Sequence, residues 1–411
     1  MIKGLKFLFF FYFSIGIFGM IYSQIPGCTD KLAINYNSAA TINDGSCQYN
    51  ETVVSPTKSV ILPDYLDETS GLVYWANKIW THNDDTDTKI YSFTPEDVNT
   101  VFSYNLKNVI NKDWEEISQD EEYLYIGDFG NNSTGNRTDL RILRLAKSTV
   151  YSMNILIDTI WFKYSDQTDF INSGSNNTDF DCEAFIVSQD SIFLFTKQWK
   201  SKKTNVYSLP KIPGSYVAQY KDSYDVHGLV TGATFIENKH IIVLTAYTNL
   251  LQPFLILLYD FPKTDFFKGN KRQLLINLPF HQVEGICSES EYKYYFSNEK
   301  RSQSGITISN KIHTVDIKEF LKDYIETQVS STGYENNKQI LIYPNPANDT
   351  IHMNFPPEMI NNTFSIYNLF GVHMQTRVIR SEIETLDLKT YSSGIHFIRI
   401  SDSNIRLFIK N

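Results

Sequence analysis

An all-β fold is predicted for this sequence of 411 residues by three observations. Val, Ile, Thr and aromatic residues, with 26 Tyr and 28 Phe, gather in short runs separated by Asn, Asp, Gly and Ser, which is the composition of strands and turns. No long stretch keeps a helical period. One strand-turn-strand unit, Asp113 to Asn132 (DWEEISQDEEYLYIGDFGNN), recurs in weaker copies along the middle of the chain.

The copies align on their first strands: Thr69 to Val73, Asp113 to Ile117, Asp181 to Phe185, Val230 to Thr234 and Gln282 to Ile286. In this alignment the third position is always Gly or Glu: Gly71, Glu115, Glu183, Gly232 and Glu284. Second strands are predicted at Lys78 to Asn83, Tyr123 to Asp128, Ser191 to Lys197, His240 to Ala246 and Tyr292 to Asn298, each after a short polar turn. Third and outer strands follow at comparable offsets. The copies lie 44, 68, 49 and 52 residues apart, the scale of four-stranded blades, with an insertion in the second at Asn131 to Asp139 and Gln167 to Asn177. Radial repetition of this kind predicts a β-propeller over residues 51–328, with five blades, six as the alternative, and one large sandwich as the competing architecture. The fifth copy runs into a helical segment, Ile317 to Tyr324, which leaves Ser59 to Leu62 free to supply its outer strand and close the ring.

The flanks carry different signals. Residues 1–23 hold Lys3 and Lys6, an apolar run from Phe7 to Tyr22, and then Ser23, the order of a cleaved secretory signal. No later run approaches membrane-spanning length. The formal charge of −9, more negative still once both lysines are removed, repels phosphate and argues against nucleic acid as a partner. In residues 24–50, Cys28 and Cys47 bracket a segment too short to hold a core, and in an oxidising compartment they predict a disulfide contributing about 3 kcal/mol. Cys182 and Cys287 read as small buried apolar residues. Gly27-Cys28-Thr29-Asp30, Ala33, Asn35-Tyr36, Ala40-Thr41 and Asp44-Gly45-Ser46-Cys47 resemble a repeat of secreted Bacteroidetes proteins. Asp30 and Asp44 read as turn formers rather than calcium ligands.

Beyond a linker at 329–338, residues 339–411 show short alternating strands that predict a small immunoglobulin-like β-sandwich. Ile342-Tyr343-Pro344-Asn345-Pro346, Tyr367-Asn368-Leu369-Phe370-Gly371, Ser393-Gly394-Ile395 and the basic end near Lys410 resemble the type A C-terminal sorting domain of the type IX secretion system. That resemblance implies the outer-membrane translocon as a partner and a location outside the cell or on its surface. The Ser-Gly-Leu, Asp-x-Glu and Glu-Gly-Ile strand starts resemble, loosely, bacterial extracellular propellers compared with phytase-like and lactonase-like proteins, which implies a fold and not a reaction.

The inner strands of a propeller line its axis, so a shared register would bring Glu115, Glu183 and Glu284 to one level as candidate metal ligands. Asn83, Asp128, Lys197 and Asn298, at the ends of the second strands, are candidate ligand-binding residues. Converging carboxylates repel unless protons or a cation intervene, and an all-oxygen set suits calcium or magnesium, not zinc. The competing reading has each Glu paired with a backbone amide or with Lys197, Arg137 or Arg141, merely stapling neighbouring blades. The acidic run Asn83-Asp84-Asp85-Thr86-Asp87 lacks the Gly and Glu of a calcium loop and reads as a solvated turn. Gly127 to Asn132 lacks the Lys-Ser of a phosphate loop and reads as a turn needing positive φ. Gly-x-Ser-x-Gly, His-Glu-x-x-His and Cys-x-x-Cys are all absent from the sequence, so no catalytic residue is assigned. The expected function is an exported module that binds an extracellular ligand, with a calcium-dependent hydrolase of phosphoesterase or lactonase type as the alternative.

Overall fold

The computed structural model describes residues 24–84, 87–152, 154–303, 305–332, 341–355, 359–401 and 404–411. The signal segment, Asp85 and Thr86 of the acidic run, and residues 333–340 of the linker region lie outside the described residues. Two compact units divide at Phe320/Leu321.

The larger unit is nearly all β. Its strands come in consecutive quartets, each a meander from an inner to an outer edge. The first is Thr69–Trp75, Lys78–Asn83, Lys89–Thr94 and Asp97–Asn105. The second is Trp114–Gln119, Tyr123–Asp128, Arg141–Ala146 and Ile157–Tyr164. Asp181–Val187, Ser191–Lys197, Lys203–Pro210 and Gly214–Asp225 make the third. Leu229–Ile236, Ile241–Tyr247, Pro253–Tyr259 and Asn270–Ile276 make the fourth. The fifth has Val283–Ser288, Lys293–Asn298 and Lys311–Asp316, and its outer strand is Lys58–Ile61 from the far end of the unit, paired antiparallel as the sequence predicts.

Burial explains the residue choice. Second strands such as Tyr123–Asp128 are buried on both faces and read as continuous apolar runs, whereas the outer strand Ile157–Tyr164 alternates buried and exposed. Adjacent quartets share apolar clusters: Trp80 with Trp114 and Ile126, Phe129 with Phe185 and Leu194, Phe195 with Leu244 and Phe254, and Leu72 with Tyr295. The outer strands of the second and third quartets also pair in parallel, joining eight strands in one sheet.

The five inner strands touch in a closed cycle, first to second and so on to the fifth and back to the first. Each carries one bulge against its partner strand. The ladder registers put Ser70, Glu115, Glu183, Thr231 and Glu284 at the bulge. This corrects the sequence alignment by one residue in the first and fourth copies. The next tier is therefore Gly71, Glu116, Ala184, Gly232 and Gly285: four small residues around one glutamate. Glu116 is fully buried, and its carboxylate accepts N–H bonds from Ile117 (3.0 Å), Leu72 (3.2 Å) and Ala233 (2.8 Å), on three different inner strands. Cβ atoms at Gly71 or Gly285 would strike the backbone of the adjacent inner strand.

The N-terminal segment wraps the outside. Cys28 and Cys47 form the expected disulfide, and Cys182 and Cys287 are buried free thiols. Asp30 and Asp44 cap local turns through Leu32 N–H (2.8 Å) and Ser46 N–H (3.0 Å). Asn43 donates to Asp260 (2.8 Å) and Asn270 (2.9 Å), and Tyr49 and Tyr259 both donate to Asp30, so the module is fastened to the fourth quartet. Val53–Val54 then adds to that quartet in parallel. The larger unit ends within the helix Lys318–Thr332, at Phe320, ahead of residue 328, the expected end of the propeller.

In the C-terminal unit, strands Leu341–Tyr343, Thr350–Asn354 and Ile383–Asp387 form one sheet. His373–Val378, Thr363–Asn368, Gly394–Ser401 and Asn404–Lys410 form another. Ile351, Met353, Phe364, Ile366, Ile398 and Phe408 share the apolar core between them.

Two outcomes follow for the ring. Gly285→Ala should destabilise the larger unit by at least about 1–3 kcal/mol in a denaturant titration, because the added Cβ meets backbone that cannot swing away. At the closing strand, His313 bonds Ser59 Oγ (2.7 Å) and Asn298 Oδ1 (2.8 Å), and burial pulls its pKa down to about 3 from an ordinary 6.5. A depressed histidine contributes stability that is present above pH 6.5 and lost as pH falls towards 3. His313→Gln should flatten the acid limb of the stability curve by up to about 1.4 kcal/mol per pH unit, read as urea midpoints between pH 7 and 4.

Candidate functional site

The bulge tier opens into a cavity of about 520 Å³. Glu115, Glu183 and Glu284 line it, each 6% exposed or less, together with Glu68, Asp84 and Glu299 nearer the mouth. Lys197 and Arg301 are the cations in its wall, and Trp199, Tyr247 and Phe280 supply aromatic surface. The two predicted insertions reach the rim through Asn132 and Asn176, joined by Asn176 N–H to Asn132 O at 2.7 Å. On the other side of the Glu116 tier lies a void of about 60 Å³ whose lining includes Leu72, Ile117, Ala233 and Cys287. Glu116 thus closes the floor of a polar chamber.

The bulge makes this chamber. An extra residue in the inner strand turns the carboxylate at that position away from the ladder and into the cavity. Lys197 ion-pairs with Glu183, and its ammonium lies 4.9 Å from the Trp199 ring and 5.2 Å from Tyr247. Burial alone would discharge this lysine; the Glu183 carboxylate more than offsets it and holds the proton on. Asp181, fully buried, accepts from Asn131 N–H (2.7 Å) and Trp199 Nε1–H (2.7 Å). One oxygen each of Glu115, Asp181 and Glu183 lies within 4.8 Å of the others. Burial pushes the Glu115 carboxyl well above the ordinary range, and Glu183, Asp113 and Asp181 push it further. Burial raises Glu284 to about 8 against the pull of Lys197, and Gln282 donates to it at 3.0 Å. Arg301 in turn donates to Gln282 at 2.5 Å.

The sequence candidates divide. Glu115, Glu183, Glu284 and Lys197 meet in the cavity, although Asp181, rather than Glu284, completes the tight carboxylate trio. Asp128 is wholly buried between Arg137 (2.9 Å) and Arg141 (2.8 Å) and is not among the cavity-lining residues. Asn83 donates to Tyr65 O (3.0 Å), and Asn298 donates to Ser309 O (3.0 Å) while accepting from His313; neither lines the cavity. Asp87, in the acidic run, caps Lys89 N–H at 3.2 Å, whereas Asp84 faces the cavity.

Gly127 and Gly130 do not have the positive φ expected of them. They are glycine for want of space: a Cβ at Gly127 would enter the Phe129 ring, and one at Gly130 would collide with Glu115 and Asp113. Sequence reasoning also missed Trp199 and Gln282. Each sits two residues from a named candidate, Lys197 and Glu284, in the loop just outside that candidate's strand.

A family model described as a secretion system C-terminal sorting domain matches residues 341–410. Residues 341–410 are thus a sorting domain of the type IX secretion kind, which implies export to the cell surface or beyond. No helix among the described residues is long and apolar enough to cross a membrane. No curated protein matches the chain. Among solved structures, a GH43_1 enzyme from Xanthomonas citri is similar over 63% of this chain and 89% of its own, with 10% identity and a TM-score of 0.38. A Thermus thermophilus protein described as an oxidoreductase (glucose dehydrogenase) covers 63% of this chain and 99% of its own at 8% identity and a TM-score of 0.36. A Dyadobacter fermentans protein of unknown function covers 64% and 98% at 7% identity and 0.36. At these scores the likenesses carry no argument about chemistry.

Lys197 is the cation that neutralises the floor of the chamber. Lys197→Met should cost about 3–5 kcal/mol, because it leaves Glu183 buried and unpaired. Lys197→Met/Glu183→Gln should recover most of that loss, and thermal unfolding of both variants beside the parent checks the pair.

Proposed function

We propose that this chain is an exported binding protein whose axial cavity receives a positively charged group of an extracellular ligand. The proposed organisation is a signal peptide at 1–23, a disulfide module at 24–50, a five-bladed propeller at 51–328, a linker at 329–338 and an immunoglobulin-like sorting domain at 339–411. One observation carries the functional reading: the cavity sets six carboxylates, Glu68, Asp84, Glu115, Glu183, Glu284 and Glu299, against Lys197 and Arg301. Low-dielectric walls focus that excess, so a cation is drawn in and an anion is repelled. The rim favours a cation with an apolar stem. Phe280 and Leu250 are exposed by 65% and 80%, and Lys197 itself already rests against Trp199 and Tyr247 as an alkylammonium does. A basic side chain of a peptide or of another envelope protein has that chemistry.

A hydrolase reading has one observation in its favour, since burial leaves Glu284 able to hold a proton near neutral pH. A phosphate ester, however, meets a chamber of its own charge, and among the described residues no histidine lines the cavity. Binding is the reading the geometry supports better.

Fluorescent oligolysine should bind the full chain with an affinity that falls steeply as salt rises, and a Glu68→Gln/Asp84→Asn variant, altered at two acids of the cavity lining, should bind at least fivefold more weakly. Equal binding of oligoglutamate, or no measurable binding of oligolysine at low salt, would sink the proposal. An esterase and phosphatase substrate panel on the same sample tests the hydrolase reading.

A further inference from the structure

We infer that Glu115, Asp181 and Glu183 form a binding site for a divalent, oxygen-seeking cation at the floor of the cavity, with calcium as the ion. The trio has the required geometry. Calcium–oxygen bonds of about 2.3–2.6 Å place two ligands of one ion at most about 5 Å apart, and one oxygen from each of the three lies within 4.8 Å of the others. All three donors are carboxylates, a set for hard cations rather than zinc.

A cluster of acids alone would not mark a site, but Glu115 adds a second observation. Its residue is only 5% exposed, it lines the cavity, and among the described residues no hydrogen-bond donor or cation reaches its side-chain carboxylate. Burying a carboxylate without a partner costs several kcal/mol. Its neighbours are not in that position: Asp181 is held by Asn131 and Trp199, and Glu183 by Lys197. Glu115 is therefore the ligand that waits for an ion. Gly130 keeps the space beside it free, since a Cβ there would collide with the Glu115 carboxylate.

Charge fits the same ion. Glu115, Asp181 and Glu183, with Asp113 beside them, outnumber the single Lys197 ammonium, an excess that a divalent cation offsets better than a monovalent one. The cavity above is open to water, which fills the coordination positions that three side chains leave vacant. The inference stands independently of which organic cation the mouth admits, because Glu68, Asp84 and Glu299 are not among its ligands.

The full chain, stripped with a chelator, should gain thermal stability on addition of calcium chloride, as expected for an ion that binds only the folded state. Terbium, a calcium substitute, should emit when tryptophan is excited, because Trp199 bonds the ligand Asp181 directly. Glu115→Gln and Asp181→Asn should each weaken calcium at least tenfold, measured by competition against terbium, while Glu291→Gln, at a different cavity, stays within twofold of the parent. Glu115→Gln removes an unpartnered charge and should melt no lower than the calcium-free parent, which separates loss of the site from loss of the fold. Absence of both the calcium shift and the terbium emission in the parent, or undiminished calcium affinity in both site variants, would overturn the inference. Failure of oligolysine binding leaves it untouched.

Discussion

Crowding at the axis governs this structure. Five inner strands converge there, and a side chain from each would exceed the space available. The tier Gly71, Ala184, Gly232, Gly285 meets this by having almost no side chains, and the space left over takes one glutamate. Glu116 fills it and answers three backbone N–H groups on three strands, groups that would otherwise face one another across a dry axis. A single side chain thus satisfies a demand that closed radial packing creates. The cost is a carboxyl pushed well above its ordinary range by burial, against the pull of those same three amides.

The bulges follow from the same convergence. To let inner strands approach this closely, each ladder absorbs one extra residue where it reaches the axis. Three of those residues are glutamates, one is Ser70 and one is Thr231, and their roles differ accordingly. Thr231 is within 3.4 Å of the Glu284 carbonyl, which Thr245 also reaches at 2.6 Å, so the fourth quartet ties the fifth through hydroxyls. The glutamates have no such backbone partner and face the cavity instead. A device for packing strands becomes, at three of five places, a device for presenting charge.

How much of this could be read from the sequence depended on whether the signal was local or long-range. The strand pattern, the use of Lys58–Ile61 to close the fifth quartet and the Cys28–Cys47 bridge were legible, because each shows as periodicity, as an unfilled place in a repeat, or as an isolated pair. The tier was not. An alignment on the Gly/Glu column is off by one at Ser70-Gly71 and Thr231-Gly232, since it matches glycines of the buried tier to glutamates of the bulge. That slip hid Glu116, which looked like a residue without counterparts and is unique because the axis has room for only one of it. Asp128 drew attention as a conspicuous acid after a glycine, but its two arginines come from Arg137 and Arg141 beyond the strand end, and no local pattern announces a pair that forms across a loop. Asp181 was visible only as a partner of Asp113 in the repeat, although its neighbour two positions on, Glu183, was already named.

Closure also constrains the order in which the larger unit can be completed. Ser59 and His313 meet across 254 residues, so the outer strand of the fifth quartet exists early in the chain and has no edge to join until nearly the whole unit has been made. The same N-terminal segment reaches the fourth quartet first, through Val53–Val54 on Leu275 and Ile276 and through the disulfide module on Asp260 and Asn270. Its contacts therefore run consecutively from the fourth quartet to the fifth, and each fixes the position of the next. Docking the module shortens the loop that remains to be closed from most of the unit to residues 55–57 and the stretch between Ile276 and Lys311, and loop-closure entropy falls with it. The disulfide then acts beyond its own loop: by holding Asp30 and Asn43 in one rigid piece against Tyr259, Asp260 and Asn270, it presents Lys58–Ile61 to the edge it must join. The axis, and with it the acidic chamber, is fixed only when that last strand is in place.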